Sequence, residues 1–218
     1  MARRSYDQYC PIARSLDVIG ERWALLIVRE LLAGPRRYTD LHADLPGVST
    51  DVLASRLKEL ERDELVVRRR LPAPAAAVVY DLTERGRGLW SVLAGLADWG
   101  APLLAEPRPT DAVRAHWAAI PLLNLLPVVP GVLEVHLDEG VFHLQLGGRA
   151  GSYADGPAER PDARLTLVTA VARDLFASRA ALSEALTDGR AKLEGDEVLV
   201  KALSESRFEK SPAGSQSA

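Results

Sequence analysis

The stretch YTDLHADLPGVSTDVLASRLKELERDELVV, residues 38 to 67, decides the fold of the first half of this chain. Tyr38 to Leu45 reads as a short helix, with Thr39 as a cap ahead of Asp40 and Leu41. Pro46-Gly47 breaks the chain. Ser49 has the position and chemistry of an N-cap for the next helix. Val52, Leu53, Leu57, Leu60 and Leu65 then mark an apolar stripe at helical spacing, with Arg56, Lys58, Glu59 and Arg62 largely off it. A short helix, a turn and a longer helix, in that order, make a helix-turn-helix. In such a motif the second helix lies in the major groove of DNA. Ser49, Thr50 and Asp51 then approach base edges or phosphates from its first turn, where free N–H groups favour phosphate, and Ser55, Arg56 and Lys58 come on later turns.

The flanks extend the motif. Upstream, Pro11 opens a helix carrying Ile12, Leu16 and Ile19, which Gly20 ends. A second helix runs from Trp23 to Leu32 and stops at Gly34-Pro35. Arg36 and Arg37 come just after that stop. Downstream, Leu65 to Leu71 and Val78 to Leu82 are short β-prone runs around the insert PAPAAA, residues 72–77, and read as a hairpin, the wing. Its arm carries Arg68, Arg69 and Arg70, suited to phosphate contact, while its tip is unusually apolar for a loop facing DNA. Thr83 caps a further helix, whose stripe of Leu89, Val92, Leu93, Leu96 and Trp99 needs an apolar partner.

Composition bounds the rest. The chain has 218 residues, 47% hydrophobic and 26% charged, with a formal net charge of -3. Residues 1 to 106 hold 15 Lys+Arg and 15 Asp+Glu, so DNA affinity must come from how charges are arranged. No transmembrane run and no secretory leader is expected. A single cysteine, Cys10, fits a reducing cytoplasm and excludes an internal disulfide.

The stretches CPIARSLDVIGERWALLIVRELLAGPRRYTDL (10–41), LPGVSTDVLASRLKELERDELVVRR (45–69) and VVYDLTERGRGL (78–89) closely resemble the HxlR family of winged helix-turn-helix regulators, which are MarR-like. The resemblance implies a homodimer, with helices 12–19 and 87–99 supplying the dimer contact and two recognition helices reading a roughly palindromic site. It implies that Ser49 to Lys58 reads DNA, led by Arg56 and Lys58, and that Arg36 and Arg37 grip the DNA backbone beside the first helix of the motif. It also gives Cys10 a redox reading, since some relatives sense electrophiles or oxidants through a cysteine at this place. The residue itself reads equally as a small hydrophobe at a helix start.

Residues 100–110, GAPLLAEPRPT, carry three prolines and read as a linker. Beyond it, a helix is expected over Ala112 to Leu123 and a hairpin over 133–137 and 141–146. A strand over 164–168, helices from Ala170 and Leu182, a strand at 192–194 and a helix over 197–203 complete an α+β unit. PDARLTLVTAVARDLF (161–176) and ALTDGRAKLEGDEVLVKAL (185–203) are similar to the sterol carrier protein 2 (SCP2) family. That resemblance implies an apolar tunnel for a hydrophobic ligand, lined by Val135, Leu137, Phe142, Leu144, Leu167, Leu175 and Phe176. Read from pattern alone, those residues are core.

The expectation is therefore an α+β chain: an N-terminal winged helix-turn-helix over 1–100, a linker over 101–110, an SCP2-like α/β domain over 111–208 and a disordered tail over 209–218. Its partners would be double-stranded DNA, a second copy and a hydrophobic small-molecule effector, with no membrane. No catalytic set, metal site or cofactor is expected: the histidines lack a third ligand at suitable spacing and no general acid, base and nucleophile converge. Two alternatives stand beside it: a C-terminal domain that serves only dimerisation, and a module that binds protein instead of DNA.

Overall fold

The computed structural model describes residues 5–72, 76–147, 152–177 and 181–205. The chain divides into two compact units, Met1–Leu93 and Ala94–Ala218. The expected tail at 209–218 and the wing-tip residues 73–75 lie outside the described residues.

The N-terminal unit contains α1 (Pro11–Ile19), α2 (Ala24–Leu32), α3 (Tyr38–Asp44), α4 (Thr50–Arg62), β1 (Val66–Arg70), β2 (Val78–Leu82), α5 (Glu84–Arg87) and the start of α6 (Trp90–Gly100). Ile27, Val28 and Leu31 of α2 are fully buried, as are Leu41 of α3 and Leu53 of α4, so three helices close on one core. The cap of α3 is not Thr39. Arg37 is the N-cap residue, and Asp40 accepts its backbone N–H at 3.3 Å. A carboxylate in the first turn satisfies a free helix N–H better than a hydroxyl and also suits the helix dipole. Val52, expected on the buried stripe, is 39% exposed. It lies off the line of Leu53, Leu57 and Leu60 that faces the core.

The helix-to-wing junction is closely fitted. Leu65 N–H bonds back to the Leu60 carbonyl at 2.9 Å, with Glu64 at φ 57 in the turn between them. The Thr83 hydroxyl donates to the Glu64 carbonyl at 2.6 Å and accepts the Gly86 N–H at 3.0 Å, so one side chain both caps α5 and ties it to the end of α4.

The C-terminal unit continues α6 and adds a 3-10 helix (Ala101–Ala105), a second (Ala115–Ala118), α7 (Ala119–Leu125), β3 (Gly131–Leu137), β4 (Gly140–Leu146), β5 (Ser152–Asp155), β6 (Ala163–Leu167), α8 (Thr169–Phe176), α9 (Leu182–Thr187), β7 (Ala191–Gly195) and α10 (Glu197–Ser204). The sheet order is β5-β4-β3-β6-β7, with β3 and β6 parallel and the other pairs antiparallel. Leu133 and Val135, Phe142 and Leu144, and Leu165 form its buried face. α7 packs on β4, and α9 and α10 pack on β7.

Three sequence expectations change here. Residues 101–105, assigned to a linker, form a 3-10 helix. The helix expected over 112–123 begins at Ala119 instead, after the second 3-10 turn. Pro121 explains this: a proline lacks the N–H that a helix interior needs, and a start at 119 places it in the first turn, where none is needed. β5 is an addition, because this four-residue edge strand has one buried apolar side chain, Tyr153, and no alternation to read.

Candidate nucleic-acid interface

The turn between α3 and α4 is fixed by side chains. The Tyr38 hydroxyl donates to the Thr50 carbonyl at 2.7 Å, and the Tyr38 and His42 rings stack one helical turn apart with centroids 6.5 Å apart. Ser49 caps α4 by accepting the Val52 N–H at 3.4 Å. With Leu53, Leu57 and Leu60 buried, the outward stripe of α4 comprises Thr50, Asp51, Ser55, Lys58 and Arg62. Arg62 was not singled out from sequence, although its helical offset from Lys58 places it on the same stripe.

Arg56 lies off that stripe. Its side chain is 14% exposed, paired with Glu59 one turn on and 3.5 Å from Glu21. Two carboxylates hold its guanidinium along the helix flank and neutralise it. Lys58, in contrast, has no acidic partner among the described residues and is exposed.

The wing divides the arginine triplet by strand alternation. Arg68 lies opposite Tyr80 and Arg70 opposite Val78, on one face, while Arg69 turns to the other. There it pairs with Asp81, a buried carboxylate that also holds Arg87 at 2.8 Å and accepts the Leu82 N–H at 2.8 Å. Arg69 therefore braces the hairpin, and Arg68 and Arg70 remain exposed. Burial pushes the Tyr80 phenol above its ordinary pKa, partly offset by Arg68. Arg36 forms a backbone bridge with Tyr80, accepting and donating at 2.8 and 3.0 Å, and its side chain lies 3.8 Å from Asp44. Arg36 thus stitches the wing to the helical core, while the guanidinium of the exposed Arg37 has no ion pair among the described residues. Asp81 and Arg87 escaped the sequence reading because their roles depend on a diagonal cross-strand contact from Asp81 to Arg69 and a strand-to-helix contact from Asp81 to Arg87, which no spacing rule marks.

A family model described as "HxlR-like helix-turn-helix" matches residues 18–107. The chain is 39% identical over 102 residues to the HTH-type transcriptional regulator YodB of Bacillus subtilis, covering 46% of this chain and 90% of YodB. The chain belongs to the HxlR-like helix-turn-helix family. A second B. subtilis relative, the uncharacterized HTH-type regulator YvaP, is 37% identical over 94 residues, 43% of this chain and 87% of its own. YodB has been solved in a reduced form, with 37% identity, coverage of 46% of this chain and 99% of that one, and a TM-score of 0.40. A quinone-bound form has also been solved, with 37% identity, coverage of 42% and 96%, and a TM-score of 0.37. Within this HxlR-like chain, Cys10 lies ahead of the matched region, half-buried at the N-cap position of α1.

The C-terminal unit lies largely beyond the matched residues. Of the seven apolar residues proposed as tunnel lining, Val135, Phe142, Leu144, Leu167, Leu175 and Phe176 are buried and Leu137 is half-buried. A cleft of about 290 Å³ lies at the strand ends, and only Leu137 and Leu167 of the seven reach it. On the polar face of the sheet, Glu134 is buried and accepts from Arg164 at 2.9 Å and from the Ala158 N–H at 3.0 Å, with His136 Nε2 at 2.8 Å. The hydrogen bond from His136, then those from Arg164 and Ala158, outweigh burial and hold its carboxyl down at about 2. His143 bonds the Gly156 carbonyl through Nδ1 at 3.0 Å.

Proposed function

We propose that this chain is a transcriptional regulator that binds double-stranded DNA as a homodimer. The outward stripe of α4 enters the major groove, so that Thr50, Asp51 and Ser55 face base edges behind the Ser49 cap and Lys58 reaches phosphate. Arg37 at the start of α3 and Arg68 and Arg70 from the wing add phosphate contacts. The observation that carries this reading is that stripe, polar and partly unpaired, on a capped helix locked to its neighbour by Tyr38.

A homodimer is favoured by apolar side chains left in water. Ile12 and Leu16 on α1 are 71% and 44% exposed, and Val92, Leu96 and Trp99 on α6 are 39%, 45% and 75% exposed. Both sets repeat at helical spacing, as buried faces do, and a second copy would cover them. Two copies would present recognition helices to half-sites about 34–36 Å apart.

The C-terminal unit would take a hydrophobic small-molecule effector, in keeping with its resemblance to sterol carrier proteins. Such a ligand shifts DNA affinity only by binding one dimer geometry better than another. Cys10 would add redox control, in line with a relative solved in reduced and quinone-bound forms. The test is a mobility-shift series with the chain's own promoter region. A shifted band that weakens as salt rises is expected, and Lys58→Ala should lower the salt slope by about one. A band insensitive to salt, or none, would refute the DNA reading.

A further inference from the structure

The direction of the chain divides at the middle of the C-terminal sheet. β3 and β6 lie side by side in parallel, and the chain leaves their carboxyl ends toward opposite edges. β3 turns through Asp138-Glu139 into β4, while β6 runs through α8 and α9 to β7. In open sheets such a switch point leaves a crevice outside the strand ends, and ligands bind there. The cleft of about 290 Å³ occupies this place.

Strand pairing arranges the polar groups of the cleft. His136 lies opposite Thr166, and Thr166 opposite Lys192. Paired residues point to the same face on strands about 4.8 Å apart, so an imidazole, a hydroxyl and an ammonium stand in one row. Behind them a second row, Glu134, Arg164 and Glu194, alternates in charge. Glu134 braces His136 Nε2 at 2.8 Å, and Glu194 braces Lys192 Nζ at 2.7 Å. His136 Nδ1 and the Thr166 hydroxyl have no partner among the described residues.

Arg190, from the turn before β7, also lines the cleft. Its guanidinium rests on Asp188 at 2.7 Å, an exposed pair that exchanges a partner at small cost. The acidic residue of the lining, Asp138, is already engaged, accepting the Thr169 N–H at 3.0 Å. Val168, 47% exposed, supplies apolar wall.

The geometry points to a binding site for a small organic carboxylate: its carboxylate meets His136, Thr166 and Lys192, with Arg190 alongside, and its short apolar body lies against Val168. The volume falls at the small end of the roughly 300–1,000 Å³ span of ligand pockets, which suits a small carboxylate. This site is separate from the apolar interior proposed for a hydrophobic effector, and it stands whether or not occupancy alters DNA binding.

The test is an amide NMR titration of the full chain with sodium benzoate and with sodium hexanoate. Benzamide serves as the uncharged control and inorganic phosphate as the bare anion. Saturable shifts from the carboxylates are expected around residues 136–138, 166–168 and 189–192, with none from benzamide. Thr166→Val and Lys192→Gln should each weaken binding about tenfold without lowering Tm. No saturable shift with either carboxylate overturns the proposal, as does benzamide binding as well as benzoate. Phosphate binding equal to benzoate overturns the apolar part of the assignment. Shifts centred on Val135 and Phe142, or binding that survives both substitutions, place the ligand in the interior and also overturn it. Carboxylate binding in the cleft with unchanged DNA affinity supports the site and removes the effector reading alone.

Discussion

At the scale of single residues, charge pairing separates side chains that look alike in sequence. Arg56 and Lys58 are two positions apart on one helix, yet Arg56 is held by Glu59 and Glu21 while Lys58 is exposed. Arg56→Ala is therefore expected to leave the salt slope of DNA binding unchanged, in contrast to Lys58→Ala; a larger loss from Arg56→Ala in the same mobility-shift series would refute this assignment. Glu134 makes a different residue-level statement. Its carboxyl is held at about 2 in the fold against an ordinary 4.5, so its contribution is fully present above about pH 4.5 and is lost as pH falls toward 2. The difference corresponds to about 3 kcal/mol. Glu134→Gln should lower the urea midpoint at pH 6 and flatten its decline between pH 5 and pH 2.5. A decline as steep as that of the unaltered chain would assign the acid sensitivity to other groups.

At the scale of elements, the junction of α4, the wing and α5 is the tightest fit in the N-terminal unit. Gly86 is buried, and a Cβ there would lie 2.1 Å from the Leu65 carbonyl oxygen, a backbone atom that cannot swing aside. Gly86→Ala must push α5 away from β1 and break the hydrogen bonds made by Thr83. A loss of about 2–4 kcal/mol is expected, read as a fall in Tm, with DNA binding reduced even where the fold persists. A variant with unchanged Tm would show that this contact is slack. How legible each element was depended on where its determinants lie. The helix-turn-helix was readable because Ser49, Leu53, Leu57 and Leu60 are local signals of cap and period. β5 and the start of α7 were not, because a short edge strand depends on its partner and the helix start depends on where Pro121 can be tolerated.

At the scale of the whole molecule, exposed apolar surface and charge balance set the assembly. The front half is neutral in formal charge, so affinity for DNA should rest on a few unpaired cations and on two copies acting together. Ile12→Glu with Leu16→Glu is expected to leave the fold intact, since both side chains are exposed in the single chain. Sedimentation should then show a monomer, and DNA affinity should fall. A dimer that survives both changes would move the interface away from α1.

Local sequence signals determined the helix-turn-helix, the wing strands and the alternating strands of the second unit, because caps, turn residues and side-chain periods act over a few residues. They also placed Leu53, Leu57 and Leu60 on the buried face of α4, though not the exposed Val52. Only the tertiary structure decided which cations on that frame are free. Arg56 and Arg69 meet their partners Glu21 and Asp81 through contacts 35 and 12 residues apart in the chain. The row of His136, Thr166 and Lys192 likewise exists only once three separate strands have paired in register. Sequence spacing carries no record of such contacts, because they arise from packing between elements and not within one.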